Sequence, residues 1–562
     1  MSLSIRLFRL LLLMISFYGY IQYVQKRINI NLAIGFVFSS VGSLMFFAGL
    51  LNILPETALV IFVGGILLAV MSMRHKESIR NVLSGGTLFF FVVGAFCLYI
   101  LYGSKFLHFD NFSHWAKVCQ ILIQSDRFPN FSDSNFYYPS YPPGSAAFIY
   151  YMSHISGISS EWFQMFAQAI LMVGLLSGLF SFSNRIIFSC ITGFCGIVLL
   201  CGDRALVDLL VDTLLPIVGL SGMCVCLYYR NNLDDKVAYL IPYTVFLVAI
   251  KNSGALFALI IICYSLYKRN DKKNYKSLLI LILPPIICML LWNKHIDYGF
   301  LADKAGKHAM TLANYSAVFK EKQVQDIIEI GNNIVRKTLS FQNKGLGLLG
   351  VAVALWLVCC VVRKQKVAIA RELTALAVLS YFVYQIGLLG MYIFSMPLNE
   401  ADDLAGYDRY HRTILIFTAA LVLVEALLCF ASQEEKPTKD LHGICCLVGT
   451  LISLVLFVSP DFSYLQKQDL SGSAREYFDS LIQEYDLPPN KSYVILLGEE
   501  SGDTGYLRYM TGYLLNPKSY ALVNDSGIEK VPWEKYDYVI IFEESQETRE
   551  MLSRYYSGIV IG

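Results

Sequence analysis

Apolar runs recur along almost the whole chain. A helix crossing a hydrocarbon layer needs roughly 20 apolar residues. Candidate runs lie at 8–24, 30–53, 55–73, 84–102, 160–181, 185–201, 206–228, 236–250, 253–267, 277–296, 345–362, 370–394, 413–431 and 442–458. The pattern predicts an all-α polytopic membrane protein of about 13–14 transmembrane helices. The runs at 236–250 and 253–267 are short and read as a broken or tilted pair. From residue 463 the pattern changes. Short β-like runs at 492–498 (SYVILLG) and 536–542 (YDYVIIF) are flanked by amphipathic helical stretches at 472–487 and 545–556, which predicts a small water-facing α/β domain.

Lys and Arg placement predicts orientation. The basic connections are Arg74–Arg80, Lys268–Lys276 and Arg363–Arg371, with Tyr229–Lys236 and Ser432–His442 on the same, cytoplasmic side. The other side then carries 103–159, 202–205, 297–344, 395–412 and the tail. Three regions follow: N-terminal transmembrane helices at 1–83, a transmembrane module with long outer loops at 84–460, and the extracytoplasmic α/β domain at 461–562. Arg6 and Arg9 precede an apolar run without a convincing A-x-A site, so this run reads as a retained helix.

Composition narrows the class. The chain has 562 residues, 56% of them hydrophobic and 16% charged, against about 25% charged in a soluble domain. Mean hydropathy is +0.52. A soluble globule, a disordered chain and a disulfide scaffold are excluded. The net charge of +2 gives no global basic excess, hence no nucleic-acid partner. Most of the 14 cysteines lie in apolar runs, among them Cys190, Cys195, Cys201, Cys359 and Cys360. No CxxC pair or Cys/His cluster has zinc spacing, so no metal site is assigned.

Several polar residues stand out against this background. Asp110, in FLHFDNFSHWAK (106–117), immediately follows a run and is surrounded by aromatics. It suits a helix N-cap and equally a general base at an apolar–aqueous boundary. YYPSYPPG (137–144) is a stiff, amphipathic turn containing Tyr138 and Tyr141. Lone His114 and His154 read as packing residues. Lys251 lies between two apolar runs and needs a partner, either Asp203 or Asp208 or a phosphate. Asp208 and Asp212 are four apart, on one face if 206–228 is helical, and read as residues that orient a sugar, pair with Lys251 or bind a metal with Asp110. Arg409 and Arg412 are three apart at the start of a run. They read either as interfacial snorkelling residues or as a phosphate clamp. GEESGDTGYLRYM (498–510) reads as a turn and helix cap, without a phosphate-loop signature.

The order of these features resembles the GT-C superfamily of integral-membrane glycosyltransferases. The similarity rests on Asp110 after a span, the Tyr138-Pro139-Ser140-Tyr141-Pro142-Pro143 segment, DRALVDLLVDT at 203–213, Lys251-Asn252-Ser253-Gly254 and YDRYHR at 407–412. It implies a polyprenyl-phosphate-linked sugar as donor, an extracytoplasmic acceptor (cell-envelope polymer, glycolipid or protein), and inversion in one displacement with Asp110 as base. It further implies that Arg409, Arg412 and Lys251 hold the donor phosphate. Tyr138, Tyr141, Asp203, Asp208, Lys304 and His308 then contact substrate. The first loop lacks a DxD, DD or DE pair, so a divalent metal is possible but not indicated. A lipid-linked saccharide transporter or flippase, a polysaccharide polymerase or ligase, and a non-catalytic scaffold of an envelope complex are the alternative readings.

Overall fold

The computed structural model describes residues 2–73, 84–133, 135–202, 204–268, 275–300, 312–340, 342–362, 367–431, 441–497, 505–542 and 550. The basic connection 74–80 lies outside this set, as do most of 268–276 and of the 432–442 segment, Asp203, Lys304, His308, the 498–504 turn and nearly all of 545–556.

The fold is a helical bundle with a small sheet near the C-terminus. The helices begin with α1 (Leu3–Val24), α2 (Ile30–Leu50), α3 (Leu54–Met73) and α4 (Gly85–Leu101). Next come α5 (Ala116–Ser125), α6 (Gly144–Ser156), α7 (Glu161–Leu176), α8 (Ile186–Leu200) and α9 (Leu214–Tyr228). The central part holds α10 (Ile241–Ile250), α11 (Gly254–Lys268), α12 (Tyr275–Gly299), α13 (Leu312–Lys320) and α14 (Val324–Leu339). The bundle closes with α15 (Lys344–Val362), α16 (Val367–Phe394), α17 (Leu398–Asp402), α18 (Tyr407–Ala431) and α19 (Leu441–Val458), and the tail adds α20 (Ala474–Glu484) and α21 (Tyr506–Leu514).

Among the described residues, seven helices are long and apolar enough to cross a membrane, or eight if the bent pair of α14 and α15 forms one span. Other apolar runs form shorter helices, including α4, α8, α9 and α11. The shortening has local causes. The run expected at 206–228 becomes helical only at Leu214. Pro216 lies in the first turn of α9, where a missing N–H costs no helical hydrogen bond. Asp208 and Asp212 therefore precede the helix rather than sharing one of its faces. The 236–267 pair is indeed broken: Lys251 is extended (φ −160°, ψ 147°) between α10 and α11. Gly254 permits the break, because a Cβ there would lie 2.0 Å from the Leu247 carbonyl oxygen.

The expected loop 103–159 contains a buried helix. In α6 nearly every residue is buried, and the helix packs against α1, α2, α5 and α7. Gly144 admits its start, since a Cβ there would meet the Ala249 backbone at 2.5 Å. The sequence signal was obscured because the helix spans only 13 residues.

Among the described residues the tail carries three parallel strands in the order β2-β1-β3: β1 (Ser492–Leu496), β2 (Ser519–Val523) and β3 (Tyr538–Ile541). Strand β2 was not expected. The tail shares the bundle's hydrophobic core through Phe478, Tyr493 and Tyr513, and Tyr513 adjoins Phe106 and Phe112. Polar ties reinforce this joint. The Glu161 carboxylate accepts from the Phe106 backbone N–H at 2.7 Å and from the Arg475 guanidinium at 2.8 Å. Arg475, only 1% exposed, also pairs with Asp479 at 3.0 Å. Lys117 Nζ donates to the Gly512 carbonyl at 3.1 Å and to Asn516 at 2.8 Å. Burial holds Lys117 well below its usual value, at about 8, despite the opposing pull of Asp133.

Removing one member of a buried ion pair typically costs about 3–5 kcal/mol, because the other charge is left uncompensated. Arg475→Met is expected to loosen the tail from the bundle and to speed its release in limited proteolysis, without unfolding the apolar helices.

Candidate functional site

Four charged side chains from separate parts of the chain converge at one end of the bundle. Asp110 ends the lead-in to a short π-helix, Asn111–Trp115. It makes no side-chain cap hydrogen bond, so the N-cap reading fails for its carboxylate. Instead its Oδ2 pairs closely with Nη1 of Arg409, in the first turn of α18. Arg409 Nε lies 3.5 Å from Asp212 Oδ2. Lys251 Nζ donates to Asp212 Oδ1 at 2.9 Å. The quartet is thus a chain of alternating charge: Asp110, Arg409, Asp212, Lys251. Burying such charges is tolerable only because each finds an opposite partner.

The partner of Lys251 is Asp212, not Asp208. Asp208 accepts from Asn111 Nδ2 at 2.7 Å, and Asn111 Oδ1 accepts the Leu209 N–H at 2.9 Å. This exchange pins the residue after Asp110 to the irregular segment before α9. Asp208 therefore braces the site from behind. The two-sided clasp depends on Val207–Thr213 remaining non-helical.

Tyr138 and Tyr141 enter the same place. A cavity of about 410 Å³ is lined by Asp110, Asp212, Lys251, Arg409, both tyrosines, Tyr410, His108, His114, Trp115 and Glu400, among others. Trp115, Tyr141 and Tyr138 form a parallel stack, with planes 4° and 15° apart. Burial raises the phenol of Tyr141, so it remains a neutral hydroxyl at physiological pH. Tyr410 places its ring 5.3 Å from Lys251 Nζ and 5.2 Å from the Arg409 guanidinium carbon. These cation–π contacts hold both cations at the cavity wall.

A second, largely apolar cavity of about 440 Å³ adjoins the first. Tyr141, Lys251, Met396 and Tyr410 line both. From there it runs between α11 and α16, past Leu256, Tyr384, Leu388, Met391 and Phe394. An apolar groove therefore ends on a charged, aromatic-walled chamber.

Arg412 is not among the residues lining either cavity; it lies near Lys344. Asp203, Lys304 and His308 fall outside the described residues. Among the described residues no group of three or more His, Cys, Asp or Glu is arranged to hold a metal ion. Asp110 and Asp212 are instead neutralised by protein cations.

Several lining residues carry only weak signals in the sequence. Tyr410 was visible beside Arg409 in YDRYHR. Glu400 lies on the short α17 in the 395–412 loop and had no distinguishing signal. His114, read as a packing residue, is 2% exposed and indeed lies among rings, those of Trp115, Phe136, Tyr138 and Tyr141. Comparison with protein-family models, with curated proteins and with solved structures gives no match.

Burial, and secondarily the charge of Lys251, lowers His114 from its ordinary 6.5 to about 3. The unfolded chain therefore takes up a proton near pH 6.5 that the folded imidazole refuses. This contribution to stability is present above that pH and is lost as pH falls toward 3. In thermal unfolding, His114→Phe is expected to lose less stability than the wild type between pH 7 and pH 4.

Proposed function

We propose that the protein is a membrane glycosyltransferase that moves a sugar from a polyprenyl-phosphate donor to an extracytoplasmic hydroxyl acceptor. The observation that carries this reading is the junction of the two cavities. An apolar groove ends where Lys251 and Arg409 stand beside a carboxylate. That junction suits an amphiphile with a long hydrocarbon tail and an anionic head. Guanidinium and ammonium groups bind phosphate oxygens strongly where water is scarce. The parallel aromatic stack and the tyrosine hydroxyls supply apolar faces and hydrogen-bonding edges suited to a sugar ring.

In the proposed reaction the acceptor oxygen bonds to the anomeric carbon as the bond from that carbon to the phosphate oxygen breaks. Asp110 takes the acceptor proton. The polyprenyl phosphate leaves with its charge held by Arg409 and Lys251. One displacement inverts the anomeric configuration, and no covalent sugar–enzyme species forms. The seven long apolar helices among the described residues are compatible with a multi-pass membrane protein. The chamber facing the exterior is part of the proposal, resting on the distribution of basic connections.

The test is transfer from a panel of radiolabelled polyprenyl-phosphate sugars in proteoliposomes. A positioned base contributes about 10²–10⁴-fold, so Asp110→Asn should lower kcat by that order while the protein remains folded. Wild-type turnover by this variant removes Asp110 as base. Arg409→Gln should lower kcat/KM for the lipid donor, and an unaltered value removes Arg409 from the phosphate site.

A further inference from the structure

Asp110 and Arg409 have tasks in the proposed reaction with which their observed contact competes. A base must offer a lone pair to the acceptor hydroxyl, and a phosphate clamp must offer its N–H groups to the donor. Here Asp110 Oδ2 and Arg409 Nη1 are committed to each other. The charge balance also bears on this. Asp110 and Asp212 are offset by Arg409 and Lys251, so the quartet is neutral before any ligand arrives. A phosphodiester headgroup adds one negative charge, and one carboxylate must then yield its cation.

The geometry selects which one yields. Asp212 has two cationic neighbours, and its side chain is 5% exposed. It keeps Lys251, at 2.9 Å, if Arg409 turns away. The Arg409 side chain is 31% exposed, the most open of the four, and an anion reaches it without separating Lys251 from Asp212. Asp110 is therefore the group displaced. Once released, it faces His108, whose Nδ1 lies 4.0 Å away, with Tyr138 and Glu400 on the same cavity wall.

We propose that Arg409 is a latch on Asp110: the arriving lipid phosphodiester takes the guanidinium, and only then does the carboxylate become free to accept the hydroxyl proton. Donor binding and exposure of the base are thereby one event. The inference rests on the glycosyltransferase reading above and adds an order of steps to it. Arg409 acts as a positioning residue for Asp110 as well as a phosphate ligand.

Equilibrium binding separates the two ideas. The probe is citronellyl methyl phosphate, a phosphodiester with a single charge that does not titrate near neutrality, bound to the full chain in nanodiscs. If Asp110 competes with the probe for Arg409, removing its charge removes the competitor. For a latch open about one-tenth of the time, Asp110→Asn tightens Kd about tenfold. Asp110→Ser, which has no carboxylate and less bulk, should tighten it in the same direction and serves if the Asn variant does not fold. Unchanged or weaker binding by either folded variant overturns the latch, while the phosphate site stands if Arg409→Gln weakens binding. Wild-type affinity in Arg409→Gln overturns the phosphate site and the latch together.

Discussion

One guanidinium organises the polar end of this bundle. Arg409 bridges Asp110 and Asp212, although Asp110 lies 299 residues before it in the chain. Charges withdrawn from water must find one another, and this requirement dictates backbone as well as side chains. The segment carrying Asp110 ends in a π-turn, Asp212 lies in an irregular lead-in, Lys251 occupies an extended break, and Arg409 opens a helix. Non-helical backbone in an apolar bundle is tolerated where it is buried in protein or lines a cavity. The four helix ends and breaks gather there together.

The tail domain bears on the same region. Glu161 holds the entry to the Asp110 segment with one oxygen and Arg475 of the tail with the other. Tyr137 shares a hydroxyl hydrogen bond of 2.8 Å with Tyr520 of β2. The aromatic turn that supplies Tyr138 and Tyr141 thus sits between the bundle and the sheet. The proposed base is held by Arg409 on one side and by a braced loop on the other.

Much of this arrangement was legible in the sequence. Continuous apolar runs identified the helices, since a long periodic segment carries its own evidence. Strands β1 and β3 stood out as Val/Ile-rich runs after polar stretches, whereas β2, SYALV, is short and less apolar. Asp110, Tyr138, Tyr141, Lys251 and Arg409 were recognised as polar or amphipathic residues in conspicuous settings, and all five line one chamber. Their pairing was not legible. Whether Lys251 meets Asp208 or Asp212 depends on a seven-residue departure from helicity that hydropathy does not record. The buried helix α6 was hidden for the related reason that a helix wrapped by others needs neither bilayer length nor an amphipathic stripe.

The brace between loop and tail sets a timetable for synthesis. Residues near 106, 117 and 137 find their partners only at 475, 512 and 520. A ribosome must therefore finish almost the entire chain before the earliest chamber segment can settle. Until then the nascent protein is a bundle with an unfinished mouth, and a chain ending before residue 475 would lack all three of these ties.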